Sequence, residues 1–208
     1  MEYQIKSAIT TIFFLIITAF EVHSQNIADI VKAFAESYTY EYNNEHLKAI
    51  TSLNKVYKED SYEMNLRLGW LYYQTKNYKK SIDHYNKAIA ILPLSIEAKL
   101  GYAFPAYAMG NQEMAIKKYK EILAIDPNNY YGNYRLGALY YERKEYQSAN
   151  KHFDKLINLY PFDYDVMIMS AWTYFRLNKL REAKVLFNKA LLNRPNDESA
   201  SEGLKLIK

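Results

Sequence analysis

The residues that do catalytic chemistry are scarce in this chain. There is no cysteine, which removes thiol nucleophiles, thiolate metal sites and disulfides. His46, His84 and His152 are the histidines beyond the first 24 residues, and none sits in a His-Glu-x-x-His run or beside a clustered carboxylate. No glycine-rich phosphate loop follows a strand pattern, since no strand pattern exists. With no nucleophile–base pair to assign, the sequence points away from an enzyme, and no metal or cofactor is expected. What the chain has in quantity is aromatic surface: 22 Tyr, 9 Phe and 2 Trp in 208 residues. Such rings recognise rather than react, because tyrosine and tryptophan couple a large apolar face to a polar tip.

The elements that carry these rings repeat. Tyr62–Ser95, Ile96–Asn129, Tyr130–Asp163 and Tyr164–Asp197 are windows of one length, with Pro93, Pro127, Pro161 and Pro195 at a common place. Spacing of this kind marks a helical repeat array. The second helix of each window has a small residue at place 20 (Ser81, Ala115, Ala149, Ala183) and an aromatic at place 24 (Tyr85, Tyr119, Phe153, Phe187). The first helix has its own small residue at place 8: Gly69, Ala103, Gly137, Ala171. Small residues on both helices let the backbones approach, and the place-24 ring fills the volume beside them. Ser61, Ser95, Asn129, Asp163 and Asp197 stand where each next helix begins and are predicted N-caps. Short polar turns are expected at Lys76-Asn77, Gly110-Asn111, Lys144-Glu145 and Asn178-Lys179.

These windows resemble the tetratricopeptide repeat family. Its pattern is met at Leu68-Gly69-x2-Tyr72 and Leu136-Gly137-x2-Tyr140, then at Ala149-x3-Phe153 with Pro161 and Ala183-x3-Phe187 with Pro195. The family's leading Trp is not kept; Asn65, Lys99, Asn133 and Met167 hold that place. The resemblance implies an all-α fold, a right-handed superhelical array of antiparallel helix pairs (a TPR solenoid), acting as a non-catalytic protein–protein interaction scaffold. It further implies a concave groove lined by the first helices at places 2, 5, 9, 12 and 13. Mapped here, the partner-binding candidates are Trp70, Tyr73, Phe104, Tyr107, Tyr131, Tyr134, Tyr141, Trp172 and Phe175. The alternative for the same rings is packing between neighbouring first helices. A peptide or protein segment is the expected ligand, with a carbohydrate or peptidoglycan fragment as the rival. The family's lysine–asparagine grip on a terminal carboxylate has no counterpart among Leu66, Trp70, Leu100, Phe104, Tyr134, Ala138, Ile168 and Trp172.

Residues 1–24 read as an export signal: Lys6 near the start, the apolar run Ala8 to Phe20, and small or branched residues before Gln25. Cleavage between Ser24 and Gln25 and a periplasmic or secreted bacterial location are expected, leaving no membrane span; the alternative is an uncleaved segment kept as an inner-membrane anchor. Residues 25–61 read as a degenerate helix pair, with Ile30, Val31, Phe34, Ala35 and Tyr38 as one apolar face and Leu47, Ile50, Leu53 and Val56 as the next. Residues 198–208 read as a capping helix. The second helices carry a basic outer stripe (among others Lys117, Lys118, Lys151, Lys155), interrupted by acids and too sparse for nucleic acid. His84 and His152, both at place 23, are expected to face solvent. Pro105, inside a predicted helix, is expected as a tolerated kink.

Overall fold

The computed structural model describes residues 27–207; the expected export signal lies outside them. Every regular element among the described residues is a helix. The chain divides into two compact units, one ending at Ile91 and the other beginning at Leu92. In the first unit α1 covers residues 27–42, followed by α2 (His46–Asn54), α3 (Tyr62–Gln74) and α4 (Tyr78–Ile91). The second unit holds α5 (Ile96–Ala108), α6 (Gln112–Ile125), α7 (Tyr130–Glu142), α8 (Tyr146–Leu159), α9 (Tyr164–Arg176), α10 (Leu180–Asn193) and α11 (Glu198–Leu206).

Each helix starts and stops for a local reason. Ser61, Ser95, Asn129, Asp163 and Asp197 all cap as predicted, their side chains accepting from the amides of Met64, Ala98, Gly132, Val166 and Ala200. Between paired helices one residue takes the left-handed conformation: Asn44 (φ 60°), Lys76 (59°), Gly110 (77°), Lys144 (62°) and Asn178 (58°). The turn then closes by a backbone bond across it, as in Asn77 N–H to Tyr72 C=O at 2.9 Å. α5 continues through Pro105, which is buried.

The pairs are held by the predicted meeting of small residue and ring. A Cβ on Gly69 would stand 3.0 Å from the Tyr85 ring, and one on Gly137 would stand 3.0 Å from Phe153. Ala103 and Ala171 hold the same place and are fully buried. α11 closes the last pair, its Gly203 lying so near Phe187 that a Cβ would come within 2.3 Å. Tyrosine hydroxyls link one pair to the next in the second unit: Tyr130 donates to Asp163 at 3.2 Å, and Tyr164 donates to Asp197.

The first helix pair is set differently from its sequence reading. Ile50 and Leu53 are buried as expected, but so are Ala33, Ser37 and Ala49, whereas Val31, Tyr38 and Leu47 are exposed. Counted from the left-handed Asn44, the repeat begins two residues later than the apolar pattern suggested. The shift comes with a shorter α2, which stops at Asn54, so that two fewer residues separate Asn44 from Tyr62 than separate Lys76 from Ile96.

Candidate functional site

The nine candidate rings sit in two kinds of surroundings. Tyr107 and Tyr131 are exposed, at 44% and 57% of their surface. Trp70, Tyr73, Phe104, Tyr134, Tyr141, Trp172 and Phe175 are half-buried. In the first unit the Trp70 indole N–H donates to Glu41, whose other oxygen pairs with Arg67 at 2.5 Å. The Trp70 ring lies 5.9 Å from that of Tyr73. In the second unit Tyr134 stacks on Tyr130 and meets Phe153 edge-on, each at 6.0 Å. Trp172 meets Phe187 edge-on at 5.1 Å and donates its N–H to Ser199 Oγ at 2.8 Å. Tyr134 and Trp172 therefore pack against the place-24 rings of their own repeats.

The structure brings Phe104 and Tyr107 together at one cavity of about 70 Å³ between α5 and α7. Ala138 and Leu139 form its apolar floor, with Tyr119 behind and Arg135 and Glu142 at its lip. The Arg135 guanidinium lies over the Phe104 ring, 5.7 Å from its centre. The Tyr107 hydroxyl donates to Glu142 at 3.1 Å, and Gln112 Nε2 donates to the same carboxylate at 3.4 Å. The bond to Glu142 raises the Tyr107 hydroxyl above the usual tyrosine range. One repeat on, Tyr141 receives a long contact from Arg176 Nε at 3.5 Å. A place-12 tyrosine thus faces the place-13 side chain of the following first helix. Glu142 was legible as a place-13 residue; Arg135, at place 6, was not, because place 6 faces the ring of the preceding pair rather than its own.

The histidines correct the sequence reading. His84 and His152 are half-buried, not solvated. Asn65 Nδ2 donates to the carbonyls of Glu59 and Ser61, both at 2.8 Å. Its Oδ1 is thereby left to accept, from Tyr57 O–H and from His84 Nδ1–H at 3.0 Å each. This fixes the His84 tautomer as Nδ1–H. The ring stacks on Tyr72 at 5.3 Å. Asn133, His152 and Tyr140 repeat the arrangement: Nδ2 donates to the carbonyls of Pro127 and Asn129, Oδ1 accepts from His152 Nδ1 at 3.0 Å, and Tyr140 stacks at 5.8 Å. Burial, with neighbouring lysines adding to it, pushes both imidazoles down to about 4. An Asn–His pair occupies the space where the repeat pattern has tryptophan, and it ties the preceding turn to both helices. The clue in the sequence was the joint recurrence of Asn at place 4, Tyr at place 11 and His at place 23 in alternate windows.

The second window fills this space with charge. Lys99, 7% exposed, pairs with Glu121 at 2.8 Å, and Lys118 joins the same carboxylate at 3.0 Å. Burial alone would raise the Glu121 carboxyl, but the two lysines outweigh it and hold it below the ordinary range. Lys118 therefore leaves the outer basic stripe. Among the described residues no cluster of His, Asp and Glu could hold a metal ion, and no helix is long and apolar enough to cross a membrane.

The sequence profile of the tetratricopeptide repeat matches residues 63–95 and again residues 140–205. The chain is a tetratricopeptide repeat protein. Superkiller protein 3 of Schizosaccharomyces pombe is 25% identical over 178 residues, covering 83% of this chain and 13% of that protein. A TPR repeat-containing protein of Methanocaldococcus jannaschii is 28% identical over 124 residues, covering 57% of this chain and 21% of its own. The chain thus spans a small part of these relatives. Among solved structures, a tetratricopeptide repeat protein from Parabacteroides merdae superposes with a TM-score of 0.75 at 19% identity, covering 85% of this chain and 71% of that one. MamA gives 0.69 at 20% identity over 85% and 94%. YrrB, described as a TPR protein with an unusual peptide-binding site, gives 0.70 at 15% identity over 89% and 97%. These likenesses establish the fold as the TPR solenoid.

Proposed function

We propose that this TPR protein binds an extended or helical segment of a protein partner through the first-helix face of its second unit, centred on Phe104 and Tyr107. The observation that carries the reading is the cavity between α5 and α7, where an apolar floor meets two charged side chains and an exposed tyrosine. A surface of this composition suits a partner side chain entering from solvent. The peptide-binding site named for YrrB supports a peptide ligand. A carbohydrate ligand would need several free polar groups beside the rings; Glu142 is already committed to Tyr107 and Gln112, which leaves Arg135 alone at this cavity. The role is non-catalytic. The setting is the cell envelope, a reading supported by the apolar run Ala8 to Phe20 in the sequence.

A photo-crosslinking residue installed at Tyr107 or Tyr131 in the native host should give a partner adduct, identified by mass spectrometry. The same residue at Lys117 or Lys151, on the second helices, should give none. Adducts from the lysine positions alone would place the binding face elsewhere. Trp172 is a poor reporter, because its contacts to Phe187 and Ser199 make it part of the closing cap.

A further inference from the structure

Two arginines occupy one place in their repeats, and their surroundings differ. Arg67 stands nine residues before the left-handed Lys76, and Arg135 nine before the left-handed Lys144. The preceding helix pair presents Ser37, Tyr38 and Glu41 to Arg67. The residues at the same distances from their own turn are Ala103, Phe104 and Tyr107 for Arg135.

Arg67 is fully used. Its Nη1 pairs with Glu41 at 2.5 Å, its Nε donates to Ser37 Oγ at 3.2 Å, and its Nη2 donates to the Ser37 carbonyl at 3.1 Å. Its guanidinium lies 4.0 Å over the centre of the Tyr38 ring, and the residue is 8% exposed. Arg135 keeps the ring, Phe104, and loses the rest. Alanine replaces the serine, a tyrosine replaces the glutamate, and that tyrosine's hydroxyl is turned to Glu142. Among the described residues Arg135 makes no ion pair or hydrogen bond, and it is exposed. The same cradle is closed by a carboxylate in the first unit and open in the second.

We propose that Arg135 and Phe104 form a subsite for the carboxylate of an aspartate or glutamate in the partner segment, its stem entering the cavity over Ala138 and Leu139. The subsite rests on the reading of this face as the partner-binding one. The chemistry of the first unit shows what the ligand supplies: Glu41 is the group that an incoming acid replaces. A guanidinium fixed against a ring presents its fork in one plane, which matches a carboxylate better than a neutral amide. Glu142, two turns further along α7, sets the polarity. Its two oxygens are held by Tyr107 and Gln112, and its charge turns an incoming anion toward Arg135.

The test uses the full chain and three immobilised peptides: acetyl-Leu-Ala-Leu-Glu-Leu-Ala-Phe-amide and its counterparts with Gln or Lys in place of Glu. None has a terminal carboxylate. The Glu peptide should be retained about tenfold better than the Gln peptide, as a charge-assisted bond predicts, and the margin should shrink with added salt. Arg135→Gln should abolish it. Tyr107→Glu should abolish it too with Arg135 intact, because an internal carboxylate then fills the cradle as Glu41 does. Both sites are exposed, and circular dichroism verifies that the variants stay folded. Equal retention of Glu and Gln peptides, or a Glu preference that survives Arg135→Gln, overturns the subsite. If equal retention still depends on Phe104, the partner-binding face stands without it. If no peptide is retained, both readings fall.

Discussion

Acidification should weaken the fold through His84 and His152, which are held neutral. Each donates Nδ1–H to an asparagine oxygen, so a second proton must enter at Nε2. Around His84 stand Asn65, Tyr57 and Tyr72, with Lys87 and Lys80 opposing the charge and Asp83 favouring it. Around His152 stand Asn133 and Tyr140, with Lys155, Lys120 and Lys151 all opposing. Both imidazoles fall from 6.5 to about 4 in the folded chain. The sign follows: a depressed folded value means that the unfolded chain binds the proton first. Stability is complete above pH 6.5 and is lost as pH falls toward 4. At about 1.4 kcal/mol per pH unit, moving from pH 6.5 to 5 removes up to about 2 kcal/mol per histidine. Since each ring keeps a solvent-exposed edge, screening reduces this to about 1 kcal/mol each. Urea unfolding monitored by circular dichroism at pH 7.0, 6.0 and 5.0 measures it. The variant His84→Gln/His152→Gln should be less stable at pH 7 yet nearly flat across this range. A wild type and double variant with equal pH slopes would refute the reasoning.

The packing of the repeats gives a sharper contrast. Ala149 is fully buried between α7 and α8, so Ala149→Leu should cost about 1–3 kcal/mol, while Lys151→Leu on the exposed side should change little by urea denaturation. Lys144 pays backbone strain at φ 62°, and Lys144→Gly should raise stability by about 0.5–1 kcal/mol in the same assay; a loss would show that the lysine side chain contributes more than the strain. In a native host the accumulated chain should lack residues 1–24, read by intact mass, and a product beginning at Met1 would remove the cleavage reading.

The sequence by itself determined the architecture, because the repeat places are set by local rules that need no distant information. Proline and a capping Ser, Asn or Asp end one helix and start the next within a few residues, and Gly69 or Ala149 admits a ring 16 or 4 residues away in its own helix pair. Where those local marks fail, so does part of the reading: residues 27–61 lack the proline, and only packing showed that Ser37 and Ala49, not Tyr38 and Leu47, face inward. Helical periodicity placed His84 and His152 on the outer flank of their helices, yet it could not show Asn65 or Asn133 reaching across from another helix to hold them. Arg67 and Arg135 are alike in their own windows. Tertiary structure alone decided that one is closed by Glu41 and the other left open, because their environment comes from the preceding helix pair, where Ser, Tyr and Glu in one case become Ala, Phe and Tyr in the other.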